Sequence, residues 1–196
     1  MKQFRLVDNV LGWLAFMIAA FVYCSTIEPT ASFWDCPEFI TTGYRLEVGH
    51  PPGAPFFMLT ANLFSQFTSD PTQVAKMVNI MSALLSATCI LFLFWSITHL
   101  VRKLLVDRFE DITLTKLITI EASGLVGALI YTFSDTFWFS AVEGEVYVHR
   151  KGFFLVFVYN QTQDFAGDLI FSFIHFLLWG WNSGGWCYTS EQRMNV

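Results

Sequence analysis

The chain has 196 residues, 54% of them hydrophobic, 18% aromatic and only 14% charged, and its mean hydropathy is +0.49. A soluble domain usually carries about 25% charged residues, and 22 phenylalanines beside so little charge exclude a disordered chain. A net charge of −5 leaves no basic footprint for a phosphate backbone, which excludes a nucleic-acid binder. The composition is that of an integral membrane protein. Its four cysteines, Cys24, Cys36, Cys89 and Cys187, lie far apart with no C-x-x-C pair, so they form neither a disulfide framework nor a zinc site.

A membrane-crossing helix needs roughly 20 apolar residues, because about 30 Å of hydrocarbon is crossed at about 1.5 Å per residue. Residues 10–27 form the first such run, with no charge inside it and Lys2 and Arg5 ahead of it. Bulky residues stand where a signal-peptide cleavage site would need small ones, so this run reads as a retained anchor. Residues 54–67 are apolar but only about 14 long, which suits an interfacial helix better than a crossing. The second span is 77–100, interrupted by Asn79, hydroxyls, Cys89 and His99. The third is 117–139, with Glu121 near one end and Asp135 near the other.

Arg102, Lys103, Arg108 and Lys116 cluster between the second and third spans. The positive-inside rule puts that cluster and the N-terminus in the cytoplasm, so residues 28–76 and 140–151 share the outer face. The expected fold is all-α: a polytopic membrane helix bundle with an outer-face loop that carries short interfacial helices. Residues 1–147 read as one ordered membrane part. Residues 148–196 form an atypical tail, with a polar stretch at 160–168 and a Gly-Trp ending, and read as truncated or frameshifted sequence.

The polar residues of the outer segments carry the chemistry. Asp35 and Glu38 are three apart and would share a helix face. Asp35 as N-cap, Pro37 in the first turn and Glu38 at the third helical position make a capping box. The same spacing also suits a carboxylate base beside the bilayer. His50-Pro51-Pro52-Gly53 is a rigid corner whose imidazole is able to hydrogen-bond a phosphate. Glu143 and Glu145 follow the third span in W-F-S-A-V-E-G-E-V-Y. A solvated loop would mix its charges, whereas residues 28–54 carry Glu28, Asp35, Glu38 and Glu47 against Arg45 alone. Acids so placed can take a hydroxyl proton, hold a cation or relay protons. A transporter or channel subunit is therefore one alternative to an enzyme, and a non-catalytic membrane scaffold is another. Glu121 reads as an interfacial residue, and Asp135 as one that reaches interfacial water. His99, His149 and His175 show no ligand spacing, and no metal-ligand set is compelled, although paired outer acids leave room for a divalent cation.

The string T-I-E-P-T-A-S-F-W-D-C-P-E-F-I-T-T-G-Y-R-L-E-V-G-H-P-P-G-A-P, with F-W-F-S-A-V-E-G-E-V-Y downstream, resembles a specific family. It is similar to the large multispanning proteins of Bacteroidetes that are related to an animal transmembrane protein O-mannosyltransferase, within the C superfamily of membrane glycosyltransferases. The resemblance covers about residues 8–147. It implies transfer of mannose or another hexose from a polyprenyl-phosphate carrier to a protein hydroxyl, with lipid-linked sugar, protein acceptor and bilayer as partners. It implies Asp35 as the base on the acceptor hydroxyl, with Glu38 assisting. It implies His50 in the carrier-phosphate pocket, and Glu143, Glu145 and Tyr147 lining the acceptor or donor site. The expected location is a bacterial inner membrane with the active face toward the periplasm. Family members have many more spans, so this chain is expected to be a fragment whose activity alone is in question.

Overall fold

The computed structural model describes residues 2–32, 35–49, 54–106 and 112–144, and these are helical with short connections. The helices are α1 (Lys2–Ser25), α2 (Cys36–Arg45), α3 (Pro55–Ser65), α4 (Val74–Leu105), α5 (Leu114–Thr132) and α6 (Asp135–Val142), with a 3-10 turn over Pro71–Gln73 leading into α4. Among the described residues, three segments are long and apolar enough to cross a membrane, at Gln3–Ser25, Pro71–Leu105 and Leu114–Thr132. The molecule is an all-α membrane helix bundle.

Small residues set how closely the spans approach. Ala15 and Ala19 of α1, Ala83 and Ala87 of α4, and Ala128 of α5 are fully buried in one cluster with Tyr23, Ile90 and Phe94. Between lipid-solvated helices there is little hydrophobic drive, so close backbone packing of this kind holds a bundle together. The opposite face of α1 is a continuous exposed stripe of Leu6, Val10, Trp13, Leu14, Met17 and Phe21, and α5 exposes Ile118, Val126 and Ile130. Those stripes give the spans an apolar outward face of the kind that a bilayer solvates.

Gly124 of α5 is a close point of the α4–α5 contact. A methyl group there would come within 2.5 Å of Thr98 Cγ2 and 2.9 Å of Phe94 Cε2. Gly124→Leu is expected to pry α5 from α4 and destabilise the bundle by about 1–3 kcal/mol, read as a lower unfolding temperature in detergent.

The three spans alternate in direction, which gives the bundle two distinct ends. At one end lie the start of α1, the end of α4 and the start of α5, joined by the buried apolar group Phe4, Val106 and Ile120. Asp8 lies beside Thr98 there, in the field of Arg102. Glu121 is not at an interface with water. It is 4% exposed, both its carboxyl oxygens are buried without a hydrogen-bond partner, and Asp8 acts on it electrostatically. A buried acid without a partner is costly. Glu121→Leu is therefore expected to raise the unfolding temperature, by an amount equivalent to about 1–3 kcal/mol; a fall would refute that account of the side chain.

The other end carries the segments that follow α1 and α5. Tyr23 donates its hydroxyl proton to the Thr132 carbonyl at 3.0 Å, tying the end of α1 to the end of α5. The third apolar run, 117–139, is not one helix. It stops at Thr132 and restarts at Asp135, because Ser134 is extended and turns its hydroxyl back to the Tyr131 carbonyl at 3.0 Å. Phe137 locks the separate helix α6 down, edge-on to Tyr23 at 6.1 Å and tilted on Tyr131 at 4.5 Å.

Between α1 and α4 the chain folds into the α2–α3 hairpin. At about 16 Å for 11 residues, α3 is too short to cross, in keeping with an interfacial helix. Gly43 faces Ala61 so closely that a methyl would stand 2.8 Å from its Cβ. Asn62 of α3 donates to the Tyr44 carbonyl at 2.9 Å and to the Gly43 carbonyl at 3.3 Å, satisfying the open end of α2. Leu46 then leaves the helix in the left-handed region, at φ 52°. Before α4, Asp70 accepts from the Thr72 amide at 2.9 Å, which holds its carboxyl below the usual range. Its help at that helix start is therefore present at neutral pH and is lost only as pH falls through the lowered value.

Candidate functional site

The sequence expects two acidic groups at one end of the bundle, and the described residues assemble them on a three-way junction. Asn79, one turn and a half into α4, is fully buried. Its amide donates to the Glu28 carbonyl at 2.7 Å and to the Thr30 carbonyl at 3.0 Å. The Glu28 amide in turn donates to the Val142 carbonyl at 3.3 Å. The loop after α1 and the segment after α6 are thus stitched together on α4.

Gly144 completes the junction. A methyl there would lie 3.1 Å from Asn79 Oδ1, 3.3 Å from Ile40 Cγ1 and 3.3 Å from Val78 Cγ1. A side chain there would need those neighbours to give by a few tenths of an ångström, and the close fit places Glu143 beside the middle of α2. Ile40, its neighbour there, is two residues beyond Glu38. Trp138 of α6 adds a second tie by donating its indole proton to Thr26 Oγ1 at 3.0 Å.

Asp35 and Glu38 have different surroundings. Helix α2 starts where the capping box places it, with Asp35 at the N-cap position and Pro37 in the first turn, but the Asp35 side chain makes no capping bond. Its backbone is itself helical, at φ −81° and ψ −9°, and its carbonyl accepts the Phe39 amide at 3.0 Å. The carboxylate is left exposed to solvent. Glu38 is half-buried and lies against the far end of the loop, its Oε1 3.0 Å from where a Gly49 methyl would be. That puts it next to the residue preceding His50.

The surrounding charge is mostly acidic. Arg45 is engaged by Glu47 at 3.8 Å, and Glu28, Asp35, Glu38, Asp70, Asp135 and Glu143 outnumber Lys76 among the other described charges of this end. Glu28 is fixed locally, accepting from Thr30 Oγ1 at 2.8 Å. Among the described residues, no group of three or more His, Cys, Asp or Glu side chains is arranged to hold a metal ion. His50, Glu145 and Tyr147 lie outside the described residues, as does the 148–196 tail. Asp35, Glu38 and Glu143 are the sequence candidates that the structure brings to one end.

Residues 35–165 match the family model described as the protein O-mannosyl-transferase TMEM260 N-terminal domain. The chain belongs to this family. Among its relatives is a Dictyostelium discoideum protein named protein O-mannosyl-transferase tmem260, 25% identical over 161 residues that make up 79% of this chain and 18% of that protein. A mouse protein named protein O-mannosyl-transferase TMEM260 is 29% identical over 133 residues, 67% of this chain and 16% of its own length. The chain thus spans less than a fifth of either relative. No solved structure matches it. The family match opens at Asp35 and covers Glu38, Asn79 and Glu143.

Asn79 is the residue that sequence reasoning passed over, counting it only as a polar interruption in an apolar run. The available signal was that an amide inside a membrane span faces the protein interior and needs partners there.

Proposed function

We propose that this chain forms the acceptor-activating end of a membrane glycosyltransferase that moves mannose or another hexose from a polyprenyl-phosphate carrier to a protein hydroxyl. The observation that carries the reading is the exposed, uncapping carboxylate of Asp35 on a junction shared with the Glu143 segment, in a chain of the TMEM260 N-terminal family. Asp35 takes the proton of the acceptor hydroxyl as its oxygen bonds to the anomeric carbon. The carbon–oxygen bond to the carrier phosphate breaks, and the lipid phosphate leaves with the bonding pair. Glu38 orients Asp35 or the acceptor. His50 contacts the carrier phosphate, and Glu143, Glu145 and Tyr147 line the sugar and acceptor side.

The site faces away from the cytoplasm, toward the periplasm of a bacterial inner membrane. Lys2 and Arg5 in the first turns of α1, Arg102 and Lys103 at the end of α4 and Lys116 at the start of α5 all lie at the end of the bundle away from the site, which supports that orientation. Membranes containing the protein are incubated with mannosyl polyprenyl phosphate and a Ser/Thr-rich acceptor peptide. Mannosylated peptide is expected, and it should depend on the lipid-linked donor. No transfer, together with cation flux in proteoliposomes lacking any donor, would replace this reading with a transporter.

A further inference from the structure

We propose that Asn79 is a positioning residue for transfer: a side chain within α4 that holds the Glu28–Thr30 loop and the Val142–Gly144 segment in register, and through them sets the spacing between Asp35 and Glu143. The inference rests on the functional reading of those two acids given above.

An apolar side chain would serve a lipid-spanning helix better at this depth, since a buried amide has to be matched group for group. Asn79 spends both of its N–H donors outside its own helix, on the carbonyls of Glu28 and Thr30. These carbonyls flank Pro29, whose ring narrows the local backbone. The loop is therefore gripped on both sides of its stiffest residue, five positions before Asp35 along the chain from Thr30.

The amide oxygen faces the other way. Asn79 Oδ1 is buried without a hydrogen-bond partner and abuts Gly144, where a methyl would come within 3.1 Å. A purely structural bundle contact gains nothing from an orphaned carbonyl. In this arrangement it is the consequence of aiming both donors at the first loop while Gly144 presses on the remaining side. The Glu28 amide closes the triangle by donating to the Val142 carbonyl. One side chain thereby fixes the segment that carries Glu143 and the loop that leads into Asp35, without touching substrate itself.

The test compares wild-type protein in membranes with Asn79→Leu and the smaller Asn79→Ala. Two readouts are taken: transfer kinetics with mannosyl polyprenyl phosphate, and backbone hydrogen exchange. Misplacing a reacting group by about 1 Å costs on the order of 100-fold. Both variants are therefore expected to lose about that factor in kcat, with KM for the donor changed by no more than about threefold. Amides of residues 26–30 and 141–144 are expected to exchange at least about tenfold faster, while those of α4 and α5 stay protected. If Asn79→Leu loosens the whole bundle, Asn79→Ala decides. Wild-type kcat in Asn79→Ala, or unchanged exchange at 26–30 and 141–144, would overturn the proposal. Absence of transfer by the wild type would instead overturn the functional reading, while the exchange data would still show whether Asn79 holds the junction.

Discussion

Asp35→Asn is expected to lower transfer by about 10²- to 10⁴-fold, the usual worth of a positioned general base, while leaving the amount and thermal stability of folded protein unchanged. The structure makes this separation sharp. Asp35 stands at the N-cap of α2, where loss of a capping carboxylate typically costs about 1 kcal/mol. Its side chain makes no capping bond, however, and is exposed to solvent. Asp35→Asn and Asp35→Ala should therefore both stay within about 0.5 kcal/mol of wild type. Measuring transfer and unfolding temperature on the same membrane preparations distinguishes the roles. A stable, inactive Asp35→Asn supports the base. A fully active one, or an Asp35→Ala destabilised by a full capping energy, would assign Asp35 to structure alone.

Phe137→Ala is expected to have the largest effect on the fold, about 3 kcal/mol or more for a buried aromatic removed without backbone collapse. Phe137 is 1% exposed and is the ring on which α6 turns back over the ends of α1 and α5, against Tyr23 and Tyr131. An eight-residue helix has too few internal hydrogen bonds to persist alone. Without the ring, α6 should fray, releasing the Val142 carbonyl from the Glu28 amide. Equilibrium unfolding in detergent would show the loss, and hydrogen exchange over 135–142 should rise first. Phe137→Leu should recover most of the stability. A Phe137→Ala variant as stable as wild type would mean that α6 is held by Trp138 and Thr26 instead.

The three spans were legible because long apolar runs with basic flanks have few alternatives in a bilayer. The convergence of the two acidic segments followed from counting crossings, and the ties from Asn79, Glu28 and Val142 realise it. Other features were hidden for physical reasons. The stop between α5 and α6 escapes a hydropathy reading because Phe133, Phe137, Trp138 and Phe139 keep the run apolar through it; the signal was the Ser134-Asp135 pair, a helix-start sequence inside the run. The capping box at Asp35 failed for a reason that residue types do not reveal. A cap side chain reaches the second or third helical amide from an extended backbone, whereas Asp35 is itself helical at φ −81° and ψ −9°. Glu121 looked interfacial by position along α5, but the rotation of that helix turns it inward toward Asp8. Such a rotation depends on the neighbouring helices, which no local pattern specifies.

The junction on Asn79 also dictates an order of events during synthesis. The Glu28–Thr30 loop and the Val142–Gly144 segment are separated by more than 100 residues of chain, and at about 5–20 residues per second the later one emerges roughly 6–23 s after the earlier. Once α4 has followed, for the later part of that interval, α1 and α4 can already pair through their alanines, and Asn79 can already grip the first loop. The face destined for Gly144 stays open until the α5 span has inserted. A ribosome that pauses in α5 therefore leaves a paired two-helix unit whose acids have not yet met, and the junction closes only when α6 folds over it.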